Sequence, residues 1–198
     1  MRPHSSEHGS LPVSLRAAPD AAASDSGAAP NPLRPADSVA KRNFDLAAAL
    51  ALLVFFAPLM SLIALAVWCS GGVVSAEEYV GVEGRIFRRG RFHVGSPLGR
   101  LLRSTGLDRL PQLFNVVAGQ MSLVGPRALT AAELPRYGAD LADYQTCRPG
   151  ITGLWQICGC GAHSHLRCVE LDRFYARNWS FRADLIILLR TPGQPLIR

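Results

Sequence analysis

Leu46 to Trp68 is a run of 23 residues without a charge, and about 20 apolar residues in a helix match the hydrocarbon thickness of a bilayer. This run constrains the fold more than any other feature, because everything after it must be arranged against a membrane. Pro58 sits near the middle of the run, where it removes one backbone donor and crowds the preceding turn. Basic residues flank both ends, with Lys41 and Arg42 before the run and Arg85, Arg88, Arg89 and Arg91 after it. Basic flanks favour the cytoplasmic side. A straight span would strand one flank on the far side, whereas a helix that breaks at Pro58 and leaves by the face it entered keeps both. The sequence therefore predicts a re-entrant helix–break–helix over residues 40–75, with a spanning helix as the alternative.

Composition divides the rest. Residues 1–39 are rich in Ala, Ser and Pro and have no apolar period, so they are expected to be a disordered tail. Residues 76–198 are left as one small, mainly α cytosolic core with irregular loops, lying against the membrane. The net charge of +6 suits an anionic membrane face, membrane lipids or a phosphate-rich partner. No nucleic-acid partner is expected, because there is no binding motif and only 8% of the residues are aromatic. The five cysteines are odd in number and follow no secretory signal, so free thiols in a reducing compartment are expected. Within "CGCGAHSHLRC", Cys158, Cys160, His163, His165 and Cys168 do not have zinc-site spacing and read as loop residues.

Within the core, "SPLGRLLRST" predicts a helix starting at Pro97 with Ser96 as its cap, and Arg100 and Arg103 three apart on one face. "LPQLFNVVAGQ" predicts a helix from Pro111 that Gly119 ends. Asp108 would then precede a helix N-terminus, whose partial positive charge favours a carboxylate or a phosphate. The glycine-rich stretch between Gly71 and Gly99 reads as turns and irregular backbone. The segments "SHLRCVELDRFYARNWS" and "SFRADLIILLRT" carry helical periodicity.

The ordered blocks "KRNFD", the proline-broken apolar run, "LDRLPQLFNVVAGQMSLVGPR", "RPGITGLWQICG" and "LDRFYARNWSFRADLIILLRT" strongly resemble the bacterial sugar transferases. These are the monotopic polyprenyl-phosphate phosphoglycosyl transferases. The resemblance covers roughly Lys41 to Thr191 and implies a re-entrant helix, a partly irregular α-rich core and a place at the inner (cytoplasmic) membrane with the core facing the cytoplasm. It implies transfer of a sugar 1-phosphate from a UDP-sugar to undecaprenyl phosphate with release of UMP, the opening step of exopolysaccharide or other glycan assembly. Other polysaccharide-assembly proteins would be partners. An Asp-Glu pair and Mg²⁺ do the family's chemistry, and the Asp carries a covalent phosphosugar. On this chain the nucleophile falls on Asp108. Arg103, Arg127, Arg148 and Gln112 fall among the phosphate- and substrate-holding candidates, and Asp172 matches an acidic position. The metal ligands are left unassigned, with Asp108 as the one candidate.

The chain departs from that pattern. Arg109 stands where the family has Glu, and an arginine neither binds Mg²⁺ nor takes a proton. It could clamp a phosphate or pair with Asp108. The chain also jumps from "VGVEGRIFRRGRF" to "SPLGRLL", omitting several tens of residues that the family has there. Ala57 replaces a Ser before Pro58, Cys160 an Arg, and Ala128 a Pro. The alternative implied is a degenerate or non-catalytic membrane-bound member that acts as a binding or assembly partner.

Overall fold

The computed structural model describes residues 35–93, 97–160 and 165–191. The expected tail up to residue 34, the Ser96 cap and His163 lie outside the described residues.

Helix α1 runs from Val39 to Cys69. Ser38 caps its start by accepting the Lys41 N–H at 3.3 Å, and Gly71, at φ 65, follows its end. The helix continues unbroken through Pro58, which corrects the expected break. One ladder bond is lost at the proline, Ser61 Oγ back-bonds to the Ala57 carbonyl at 2.9 Å, and residues on either side of it pack into two separate clusters. Lys41, Asp45, Ala49, Ile63 and Val67 are buried, and half-buried Leu53, Phe56 and Met60 fill the interval. Their spacing of three or four residues draws one stripe along the whole helix. Across that stripe Ala49 meets the main core, and Ile63 and Val67 meet Phe92 and Leu102. The opposite side presents Val54, Phe55, Leu62, Leu65 and Trp68, each more than half exposed. At 1.5 Å per residue the helix is about 46 Å long, and by length and composition it could cross a membrane.

Strands β1 (Val73–Val80) and β2 (Ile86–His93) form an antiparallel hairpin, with Val73 opposite His93 and Val80 opposite Ile86. The stretch predicted to be irregular is thus a regular two-stranded ribbon. Its alternation is masked in the sequence by the adjacent Arg88 and Arg89. Helix α2 (Pro97–Thr105) and a 3-10 turn over Leu107–Arg109 lead to α3 (Gln112–Val117). Gly106 makes this bend at φ 77.

Strands β3 (Ser122–Val124) and β4 (Gly150–Thr152) pair in parallel. They approach so closely past Gly125 that a Cβ on Gly150 would lie 2.1 Å from the Gly125 nitrogen. Glycine is therefore required in "RPG" by space, not by dihedral. Helices α4 (Leu141–Gln145), α5 (Leu154–Ile157), α6 (His165–Arg177) and α7 (Phe181–Arg190) complete the core.

A buried polar knot ties α1 to the end of the chain. Lys41 Nζ pairs with Asp184 Oδ2 at 2.6 Å and donates to the Val124 carbonyl at 3.0 Å. Asp184 also accepts from Tyr175 Oη (2.8 Å) and Trp179 Nε1 (3.0 Å). Four residues on, Asp45 accepts from Ser122 Oγ at 2.6 Å and from the Leu123 N–H at 3.3 Å. Arg42 donates to the last carbonyls of α3, Val116 and Val117, at 2.6 and 2.8 Å. The basic flank before the apolar run is therefore consumed inside the protein and does not face lipid headgroups.

Two further expectations change. Residues 35–39 do not belong to a tail: Pro35–Asp37 form a 3-10 turn with Pro35 buried, and the Ala36 N–H bonds the Thr146 carbonyl at 3.2 Å. Cys160 and Cys168 are joined in a disulfide, while Cys69, Cys147 and Cys158 are free. The disulfide forms because α5 ends beside the first turns of α6, which sequence spacing does not reveal.

Candidate functional site

Asp108 lies on the Leu107–Arg109 turn and is 1% exposed. The N–H groups after it are used locally, Arg109 N to the Gly106 carbonyl at 3.0 Å and Leu110 N to the Leu107 carbonyl at 3.2 Å. The helix N-terminus expected to stabilise the carboxylate is thus not aimed at it. Arginines take that place. Arg91 Nε donates to Asp108 Oδ2 at 2.5 Å. Arg109, next in sequence, lies over the Trp155 ring at 5.9 Å from its centroid and reaches Gln156 Oε1 at 3.5 Å. Arg89 comes from the same strand as Arg91, lies 3.8 Å over the Tyr79 ring centroid and donates to the Tyr79 hydroxyl. Burial pushes the Arg109 guanidinium below its ordinary value. Asp108 opposes this, and Arg91 and Arg89 add to it. Burial acts on Arg89 in the same direction. Both groups start so high that they remain cations at neutral pH.

The local chain explains the convergence. Arg89 and Arg91 are two apart on β2, the spacing that puts side chains on one face of a strand. Asn115 of α3 fixes that strand by donating to the Arg88 carbonyl at 2.8 Å and to Gln120 Oε1 at 2.7 Å. Gly90 lets the strand close on the turn, since a Cβ there would stand 3.2 Å from Pro111 Cβ.

Three buried side-chain polar atoms lack a partner among the described residues: Asp108 Oδ1, Trp155 Nε1 and Arg127 Nε. Two of these residues belong to this cluster, and the charge of the third is felt at Arg89. Buried polar atoms are paired in folded proteins with few exceptions. Such a concentration beside one carboxylate marks a place built to receive something polar.

The predicted site residues divide. Asp108 and Arg109 are central, and Gln112 is buried in the first turn of α3, one turn beyond Asp108. Arg127 donates its backbone N–H to Asp172 at 3.1 Å and pairs its side chain with Glu133. Arg148 is a structural strap that donates to the Gly119 carbonyl at 3.0 Å and the Ala36 carbonyl at 2.6 Å. Arg103 is exposed on α2 and makes no hydrogen bond to the described residues. Asp172 is 1% exposed, and burial pushes its pKa up to about 7 against the pull of the Tyr137 hydroxyl and the Arg127 N–H. Sequence reasoning missed Arg89 and Arg91 as site residues and took them for a membrane flank. Their Arg-x-Arg spacing was the available signal.

The donor set does not fit Mg²⁺. That ion demands near-octahedral oxygen ligands, usually one or two carboxylates. Here the one carboxylate is paired with Arg91 and acts on the adjacent Arg109, which also feels Arg89. Among the described residues no cluster of three His, Cys, Asp or Glu side chains could hold a metal.

Residues 94–198 match the sequence profile of the bacterial sugar transferases. The chain belongs to this family. It is 36% identical over 193 residues to the UDP-galactose-lipid carrier transferase of Erwinia amylovora, a match that covers 80% of this chain and 40% of that protein. It is 35% identical over 195 residues to the exopolysaccharide production protein ExoY of Rhizobium meliloti, covering 80% of this chain and 86% of that protein. It is 33% identical over 186 residues to the undecaprenyl-phosphate galactose phosphotransferase of Salmonella typhimurium, covering 76% and 39%. The chain thus spans about two fifths of the length of the first and third of these sugar transferases. The match to ExoY runs over 195 positions yet draws on 80% of a 198-residue chain, so several tens of positions of that sugar transferase face a gap here.

Proposed function

We propose that this chain transfers a sugar 1-phosphate from a UDP-sugar to undecaprenyl phosphate at the cytoplasmic face of the bacterial inner membrane, opening the synthesis of an exopolysaccharide or other surface glycan. The observation that carries the reading is the buried Asp108 carboxylate. It has one oxygen without a partner, and arginines surround it where an anionic donor would bring its phosphates.

In this mechanism Asp108 Oδ1 attacks the β-phosphorus of the donor. The new bond is Oδ1–P, and the bond broken joins that phosphorus to the bridging oxygen, which leaves with the electron pair as part of UMP. The resulting acyl phosphate is a high-energy species that passes its group on readily. An oxygen of undecaprenyl phosphate then attacks the same phosphorus and returns the electron pair to Asp108. Arg91 and Arg109 hold phosphate oxygens through both steps, since a guanidinium fork matches them in pairs.

The acceptor is a lipid, and α1 supports a monotopic placement. Its core-facing stripe runs from Lys41 to Val67, so a helix crossing the bilayer would drag the polar core in with it, against the cost of burying polar groups. Lying along the membrane face, α1 gives its apolar outer side to lipid and keeps the core in water. Cys69, free and exposed at the helix end, tests this placement. A membrane-impermeant maleimide should label it in intact spheroplasts only after permeabilisation, whereas a crossing helix exposes it at once.

The activity test is UMP release by membrane fractions supplied with undecaprenyl phosphate and a panel of UDP-sugars. The wild type should release UMP and Asp108→Ala should not. Intact-mass analysis should find a phosphosugar adduct on Asp108. A second reading rests on the Arg91–Asp108 pair, which occupies one carboxylate oxygen, and on Arg109 at the glutamate position. In this reading the chain binds sugar nucleotides or assembly proteins without turnover. Equal UMP release by the wild type and Asp108→Ala would favour it.

A further inference from the structure

We infer that Arg89, Arg91 and Arg109 together bind the diphosphate of a sugar nucleotide without a divalent cation, supplying the positive charge that the family resemblance assigns to Mg²⁺. The inference rests on the transferase reading for its choice of ligand, and on the cluster's own geometry for everything else.

The charges around Asp108 are unbalanced. Arg91 uses Nε on Asp108 Oδ2, and its two terminal amino groups have no partner among the described residues. The side chain is 39% exposed, so those groups are open to a ligand. Arg109 makes one long contact, to a neutral amide. Arg89 bonds a neutral phenol. The other carboxylate that acts on the group is Glu77, which accepts from the Tyr79 hydroxyl at 2.7 Å and is felt at Arg89 but not at Arg109. Arg127, the next cation, is matched by Glu133. Asp108 and Glu77 thus face three guanidinium groups in a half-buried place, and Glu77 is already bonded by the Tyr79 hydroxyl. A doubly charged diphosphate meets this excess, whereas a divalent cation adds to it.

The substitution at position 109 and the arginines of β2 form one arrangement. A glutamate at 109 would turn the pair into two adjacent carboxylates and recreate an oxygen donor set. Arg109 instead extends the row that β2 starts. A diphosphate arriving on Arg91 competes with Asp108 Oδ2 for the same guanidinium, and so loosens the one bond that holds the carboxylate.

The test uses the full chain in nanodiscs, with UDP as the probe and titration calorimetry in excess EDTA and in Mg²⁺. The wild type should bind UDP with the same Kd, within about twofold, in both. Arg109→Gln and Arg91→Gln should each weaken binding about tenfold or more, a factor worth about 1.4 kcal/mol, and Arg109→Lys should keep most of the affinity. Arg109→Glu should bind weakly in EDTA and recover with Mg²⁺, a gain that general damage to the fold would not produce. Thermal melts of each variant report folding. If Arg91→Gln does not fold, Arg109→Gln, which leaves the Arg91–Asp108 pair intact, decides alone. The inference is overturned if wild-type binding falls about tenfold in EDTA and returns with Mg²⁺, if UDP binds in neither condition, or if Arg109→Gln binds like the wild type. UMP release from UDP-galactose and UDP-glucose separates it from the transferase reading. Metal-independent UDP binding without UMP release sinks that reading and leaves this inference standing, while Mg²⁺-dependent UDP binding with UMP release does the reverse.

Discussion

Asp184 and Asp108 are both almost fully buried carboxylates that face cations, yet their surroundings are opposite. Asp184 is saturated. Lys41 and Trp179 donate to one oxygen and Tyr175 to the other, and the Lys41 ammonium is itself buried. Asp108 has a half-exposed partner on one oxygen and nothing among the described residues on the other. A buried charge is tolerated when its hydrogen-bonding capacity is filled. The first region meets that condition and so reads as architecture, fastening the membrane helix to the C-terminal helices. The second violates it beside an excess of positive charge, where an absent polar ligand would complete it.

The sharpest way to break this comparison is to remove each carboxylate. Asp108→Asn should lower UMP release by at least about 10³-fold while the melting temperature stays near that of the wild type. If activity survives, the open carboxylate is not the reacting group. Asp184→Ala leaves the Lys41 ammonium buried and unpaired, so it should cost about 3–5 kcal/mol, read by denaturant unfolding in detergent. A small loss there would mean the knot is not architecture.

Asp172 sharpens the contrast from between the two cases. Each of its oxygens has a neutral donor, the Arg127 N–H and the Tyr137 hydroxyl, and it pairs with no cation side chain. Burial raises its pKa to about 7. A carboxylate raised in the folded state contributes stability that is full below its unfolded value near 4 and is lost as pH rises to about 7. Asp172→Asn lacks this dependence. Its stability relative to the wild type should therefore improve between about pH 4 and pH 7, by on the order of 4 kcal/mol. Thermal melts across that range check the sign, and a constant difference refutes it. The smallest expected effect is that of Tyr175→Phe, which removes one donor from the saturated knot. It should cost about 1 kcal/mol and leave UDP affinity unchanged.

Much of the chain was legible in its order of residues. The apolar run announced a long apolar helix, Pro97, Pro111 and Gly119 marked helix boundaries to within a residue, and the Asp-Arg pair falls on the turn between α2 and α3. Local patterns suffice there because caps, breakers and apolar periods act within a few residues. The hairpin was not legible, because consecutive arginines hide its alternation. Nor was the continuity of α1, because the break expected at Pro58 is a local preference that packing at two distant points overrides.

The site follows the same division. Sequence alone determined that a carboxylate would lie between two short helices in an arginine-rich chain, and that one helix would be long and apolar enough to meet a membrane. Which arginines meet the carboxylate was decided only by the tertiary structure. Arg42 and Arg148 reach backbone carbonyls instead and hold the end of α3 and the turn before α1. The β1–β2 ribbon, pinned by Asn115, delivers Arg91 to Asp108 and carries Arg89 two residues away on the same strand face. A long cation goes to whatever oxygen the packed backbone puts within its reach, and only the folded chain fixes where those oxygens are.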